Sequence, residues 1–323
     1  MSAPIWESEA QKTASYDALC AYLRRASGLV LDSDKRYLVE SRVAPIVRRE
    51  GFSGLTDLVR AMERGNHPGL AQEVVQAMTV NETYFFRDKV PFDKLRENIL
   101  PDIISARANR RTLRIWCAAS STGQEPYSIA MILEDFAPRL TGWRVEIVAT
   151  DISEAVLAKA RLGKYTQFEV QRGMTTAQLL RFFTQVRDEW QLKPNIRQRV
   201  NFRQFNLLDD FTLLGNFDII FCRNVLIYFE PDRKADILNR MSRLLPEDGV
   251  IALGASESVL GLSTRLVANT THRGFFHLAG KAGAPGATAA GRQAAPGAAS
   301  AATGTGAKPA LPPRPATGGF GRR

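Results

Sequence analysis

Three observations predict an α/β domain built on a parallel sheet covered on both faces, preceded by a smaller all-α domain. From residue 15 to about 80, apolar residues recur every three to four positions, the helical period. From residue 112 the pattern changes to short, continuously apolar runs separated by amphipathic stretches, as when buried strands alternate with crossover helices. Residues 163 to about 200 break that rhythm. This segment is too long for a loop and carries its own aromatic residues, so it reads as an inserted subdomain.

Taken in order, residues 1–14 are an N-terminal extension and 15–80 a helical domain. "SYDALCAYLRRASGL" predicts a helix capped by Ser15, with Leu19, Tyr22 and Leu23 on its apolar side and Gly28 closing it. "DSDKRYLVESRVAPIVRREG" puts Val39, Val43, Ile46 and Val47 on one stripe and ends at Gly51, while Pro45 predicts a break or kink. Lys35, Arg42 and Arg49 recur every seven residues on its flank beside Arg36 and Arg48, by default a solvated face. "FSGLTDLVRAME" and "GLAQEVVQAMTV" supply two shorter helices. Residues 81–111 are a linker with further helices, and 112–280 form the α/β domain. Its strands are "TLRIWCA", "RVEIVATD", "RVNFRQFN", "FDIIFCRN", "GVIALGA" and "RGFFHLAG", with helices in "EPYSIAMILEDF", "SEAVLAKARLG" and "DRKADILNRMSRLL". The Ala/Gly/Pro-rich tail, 281–323, is predicted to be disordered.

The net charge of +10 raises the question of nucleic acid, but six of the cations lie in the tail without a single acid, which leaves only +4 for the folded part. Apolar content is that of a soluble globular protein, no run approaches the ~20 apolar residues of a membrane span, and the polar start is unlike a signal peptide. The expected location is the cytoplasm. Cys20, Cys117 and Cys222 are widely scattered without metal-ligand spacing, and the last two fall in strand-like core runs.

Parallel sheets bind ligands beyond the carboxyl ends of their strands. The first strand ends in "CAASSTG", small residues that admit a ligand, yet only Gly123 stands where a dinucleotide site would need three glycines. Glu125 at the following helix start would repel a pyrophosphate and suits a cationic ligand. Asp151 ends the second strand, where an acid can accept bonds from ribose hydroxyls. Either acid alone reads equally well as a helix-start charge or an N-cap. Together, at successive strand ends, they favour a ligand with a ribose and a positive group, as in S-adenosylmethionine.

The runs "NETYFFRD", "WCAASSTGQEPYSIAM", "ATDIS", "ARLGKY", "VNFRQFNLL" and "FDIIFCRNVLIYF" narrow this further. Over residues 15–279 the sequence resembles the CheR family of chemoreceptor glutamate methyltransferases. The resemblance implies an all-α N-terminal domain, a Rossmann-like methyltransferase domain with a small antiparallel β insertion, and S-adenosylmethionine as donor, leaving S-adenosylhomocysteine. It implies cofactor contacts from Asn81, Thr83, Arg87, Glu125, Asp151, Asn206, Leu207, Arg223 and Asn224, with Arg87 and Tyr228 at the reaction centre. Arg42 and Arg48 are implied to dock the acidic methylation helices of cytoplasmic chemoreceptor domains, which would recruit the enzyme to membrane receptor arrays. The insertion resembles an element that in some members pairs with a receptor C-terminal peptide. No nucleic acid and no membrane insertion are implied.

That chemistry requires little from a base. A glutamate side chain has an ordinary pKa of about 4.3 and is already the nucleophile at neutral pH. The enzyme must align carboxylate oxygen, methyl carbon and sulfur, and remove water. Arg87 suits the carboxylate as a paired donor, and Tyr228 as a hydrogen-bonding orienter. A nucleic-acid or small-molecule methyltransferase and a non-catalytic cofactor-sensing module are the competing readings.

Overall fold

The computed structural model describes residues 8–31 and 33–280. Four helices open it: α1 (Glu9–Ser27), α2 (Arg36–Glu50), α3 (Leu55–Arg64) and α4 (Leu70–Met78). They close around Tyr16, Leu19 and Leu23 of α1, Val39, Val43 and Ile46 of α2, and Leu58 and Val74 of the next two. α1 starts earlier than Ser15. Its N-cap is Ser8, in a capping box with Gln11, whereas Ser15 is buried and shares a 2.8 Å hydrogen bond with the Thr56 hydroxyl. Nor does Pro45 end α2, which is helical throughout. Pro45 and Ser41, whose carbonyl the proline leaves without its helical donor, both face solvent, so water can satisfy that oxygen.

After the linker come α5 (Val90–Lys94), a π turn over Leu95–Ile99, and α6 (Leu100–Ala106). The π turn ends two residues before Pro101, which has no N–H to give the preceding turn. The remaining elements are β1 (Thr112–Ala118), α7 (Gln124–Asp135), β2 (Arg144–Asp151), α8 (Glu154–Leu162), β3 (Lys164–Thr166), α9 (Gln167–Gln171), α10 (Thr176–Phe182), β4 (Phe183–Val186), β5 (Glu189–Leu192), α11 (Pro194–Arg197), β6 (Val200–Gln204), β7 (Ile219–Cys222), α12 (Pro231–Arg243), β8 (Val250–Leu253), β9 (Leu266–Ala268) and β10 (Phe275–Leu278).

The main sheet runs β6-β2-β1-β7-β8-β10-β9, with Ile115 of β1 level with Ile147 of β2 and Ile219 of β7. It is mixed, not wholly parallel as the sequence predicts: β10 pairs antiparallel with β8 and with β9. The stretch between β8 and β10 holds no crossover helix, so the chain can only return alongside, and β9 is short and half-exposed. One apolar layer, with Tyr127, Ile129, Leu157 and Phe221, lies on one face; the other, with Trp116, Phe217, Ile237 and Leu238, lies on the opposite face. Cys117 and Cys222 are core residues whose thiols burial pushes well up.

The insertion forms its own antiparallel sheet, β3-β5-β4. It touches the linker at Gly173, where φ is +92° and a Cβ would stand 1.8 Å from the Phe85 carbonyl oxygen. Gly173→Ala is expected to lower stability by about 2–4 kcal/mol, through both backbone strain and overpacking, as read by urea unfolding. Among the described residues, no helix is long and apolar enough to cross a membrane. The predicted disordered tail, 281–323, lies outside the described residues, as do residues 1–7 of the predicted extension.

Candidate active site

Strand order reverses at β1, from which the chain passes first to β2 on one side and later to β7 on the other. A cleft opens there, at the carboxyl ends of the strands, as expected for a doubly wound sheet. It encloses about 950 Å³, mouth included, and is lined by Asn81, Thr83, Arg87, Glu125, Asp151, Asn206, Leu207, Arg223, Asn224 and Tyr228. These residues come from five separate stretches of chain. The helical domain adds Ser27, Leu29 and Thr79, which no sequence pattern signalled.

The wall after β1 curls through three left-handed residues, Ala119, Ser121 and Gly123. A Cβ on Gly123 would lie 2.9 Å from that of Ala160. Asp151 holds this curl: one oxygen accepts from the Ser121 N–H at 2.8 Å and the other from the Ser153 N–H at 2.9 Å. The Ser121 hydroxyl in turn donates to the Asn81 carbonyl at 2.8 Å, tying curl to linker. Burial pushes the Asp151 carboxyl up against the pull of those N–H groups.

Glu125 is paired with a resident cation. Arg223 donates to Glu125 Oε2 at 2.9 Å and to Asp88 Oδ2 at 2.7 Å. The second Glu125 oxygen has no hydrogen bond among the described residues. Desolvation raises the Glu125 carboxyl, opposed by Arg223 and then Arg87. One buried guanidinium thus answers two carboxylates. Arg87 forms no ion pair among the described residues; its Nη1 donates to the Glu82 carbonyl at 2.8 Å. Its charge is felt at both Glu125 and Tyr228, which line the same cleft. Burial raises the Tyr228 hydroxyl, and Arg87 and Arg42 oppose that rise.

Other expected contacts are committed elsewhere. The Asn206 amide donates to the Ala26 carbonyl at 2.7 Å, bridging to α1, and its oxygen accepts from Leu208 N–H at 3.0 Å. Arg42 is half-buried and caps the end of α4, donating to the carbonyls of Met78 and Thr79 at 2.8 and 2.9 Å. Arg49 of the basic flank is neutralised by Glu50 and Glu73, whereas Arg48 is exposed and without a charged partner among the described residues. None of the cleft-lining residues named for it is a histidine.

Sequence reasoning missed Glu257. Its carboxylate accepts from five backbone N–H groups, those of Asn224, Val225, Leu226, Ile227 and Gly254. This fixes the loop carrying Asn224, which is left-handed at φ +58°, and Tyr228. The signal was present: Glu257 lies in "GASES", the loop that follows the carboxyl end of β8, on the side of the sheet where Asp151 ends β2.

Residues 81–274 match the family of the CheR methyltransferase, SAM binding domain, and residues 14–79 match the CheR methyltransferase, all-alpha domain. The chain belongs to the CheR methyltransferase family. It is 44% identical over 253 residues to chemotaxis protein methyltransferase 1 of Vibrio cholerae, which spans 77% of this chain and 91% of the relative. It is 43% identical to chemotaxis protein methyltransferase 1 of Pseudomonas aeruginosa, over 77% of this chain and 92% of the relative. A third relative, chemotaxis protein methyltransferase Cher2 of Pseudomonas putida, is 42% identical over 76% of this chain and 91% of its own. As a CheR-family member the protein is a methyltransferase with S-adenosylmethionine as cofactor. The cleft's chemistry fits that group: an acid at each of two strand ends and a Glu125 oxygen without a hydrogen bond among the described residues suit a molecule bearing a ribose, an ammonium and a sulfonium.

Proposed function

We propose that this CheR-family member methylates glutamate side chains on the cytoplasmic domains of chemoreceptors, giving methyl esters used in sensory adaptation. The observation that carries the reading is Arg87: a guanidinium that makes no ion pair among the described residues, on the wall of the cleft that Tyr228 also lines, and thus available to an incoming carboxylate. The names of the relatives, all chemotaxis methyltransferases, support the same setting. When bound, the cofactor supplies an electrophilic methyl group on sulfur. Asp151 and Glu125 would hold its ribose and ammonium, with Asn81, Thr83, Asn206, Leu207, Arg223 and Asn224 completing the wall. Arg87 would orient the acceptor carboxylate by paired donation and Tyr228 would hold one of its oxygens. No residue needs to remove a proton, because the acceptor is already ionised at neutral pH.

Too tight an Arg87 pairing would stabilise the ground state, so its role is to position rather than to clamp. Arg48 on α2 would meet acidic receptor helices, steered by charge. Arg42, committed to α4, would reach the same face with its remaining donors. A receptor peptide could add to the small antiparallel sheet, and receptor binding would bring the protein to membrane arrays from the cytoplasm. Incubation with a receptor cytoplasmic fragment, followed by peptide mass mapping, tests the reading. One methyl group added to specific glutamates, and lost when these are replaced by alanine, is the expected result; modification elsewhere would overturn it.

A pH dependence follows from Asp151. Its raised pKa means that it protonates at a pH above the ordinary carboxylate range, about 3.9. Cofactor binding that uses its ionised form should weaken as pH falls through that raised value, and recover above it. Calorimetric titration of S-adenosylhomocysteine across acidic pH checks this, and Asp151→Asn should flatten the profile.

A further inference from the structure

Arg87 reaches the cleft on a long side chain, and its ability to orient a carboxylate depends on what holds it still. Among the described residues its guanidinium has two such contacts, both on one strip of irregular linker: the Glu82 carbonyl at 2.8 Å and the Tyr84 ring, whose centroid lies 5.7 Å from the guanidinium carbon. A strip without helix or strand cannot hold a side chain unless something holds the strip. Arg172, in the inserted subdomain, takes hold of the same two residues. Its guanidinium donates to Glu82 Oε1 at 2.8 Å and lies 4.2 Å above the Tyr84 ring. Tyr84 thus meets two guanidiniums, one from the insertion and one from the active site.

The Arg172 backbone is itself fixed. Its N–H closes α9 on the Phe168 carbonyl at 3.2 Å. Its neighbour Gly173 backs onto the Phe85 carbonyl so closely that no side chain fits. We propose that Arg172 is a positioning residue for methyl transfer: it holds Glu82 and Tyr84, and through them sets the direction of the Arg87 guanidinium. This rests on the reading of Arg87 given above. It also assigns the insertion a part in the chemistry that is independent of any receptor peptide. The Arg172–Glu82 pair is largely exposed, 42% and 58%, so it adds little to stability, and a variant lacking it should fold.

A double-mutant cycle in the full-length protein tests the proposal, with Arg87→Lys as the weakened background because it retains a charge without the planar fork. Arg172→Ala alone should lower kcat about tenfold and leave the KM for S-adenosylmethionine within about twofold. In Arg87→Lys the same change should cost at most about twofold, because the group it positions is gone. Arg172→Lys, which keeps the charge near Glu82 but loses the planar stack on Tyr84, should fall between. Equal losses in both backgrounds, or no loss in the parent, would overturn the proposal. A second readout needs no acceptor: the Arg87 Nε–H resonance, assigned by its disappearance in Arg87→Lys, should move in Arg172→Ala. An unmoved resonance would contradict the proposal. A parent protein that transfers no methyl while that resonance still moves would instead count against the functional reading.

Discussion

Arg87→Ala is expected to lower methyl transfer by about a hundredfold to a thousandfold, about 3–4 kcal/mol in the barrier, while cofactor affinity changes by less than about fivefold. The asymmetry follows from where the guanidinium stands. Among the described residues it makes no ion pair and donates to the Glu82 carbonyl, and its charge is felt at both Glu125 and Tyr228. Its remaining donors are therefore available to a carboxylate that arrives with the acceptor. Removing it leaves the Asp151-anchored curl and the Glu125–Arg223 pair in place, and with them the cofactor wall. Single-turnover transfer with saturating cofactor, alongside calorimetry, separates the two quantities. Lost binding with unchanged transfer per bound cofactor would make Arg87 a cofactor ligand only.

Asp151→Ala should do the reverse and weaken cofactor binding on the order of a hundredfold, since bonds to a charged group contribute about 1.5–3 kcal/mol each. The change removes the acceptor at the second strand end and also frees the Ser121 and Ser153 N–H groups, so the left-handed curl loses its anchor. Asp151→Asn keeps one acceptor oxygen and should lose less. Equal affinity of Asp151→Ala and the parent for S-adenosylhomocysteine in calorimetry would remove Asp151 from the site.

What the sequence revealed was decided by local pattern. The apolar stripe of α2, the five parallel strands and the strand-end acids each have a short-range period or a terminal position that can be read directly. The motif runs then carried every expected cofactor and reaction-centre residue to one cleft. Contacts between distant elements were not legible. Nothing near Asn206 in sequence announces that its amide crosses to Ala26, nor does the spacing of Arg42 reveal that it caps α4. Pro45 does not break α2 because the carbonyl it leaves without a donor faces water. Ser15 misled because the apolar period was traced from Leu19, while the capping box at Ser8 lay one step further out. The antiparallel edge depended on the absence of a helix before β10, which periodicity alone does not weigh.

The measurement that tests the account most directly is transfer from methyl-labelled S-adenosylmethionine to membranes bearing chemoreceptors, followed by mild alkali. Label on the receptor band, released by base as volatile methanol, is the result the account predicts, because only a carboxyl ester hydrolyses that way. Label that survives alkali would place the methyl group on another atom and contradict the assignment.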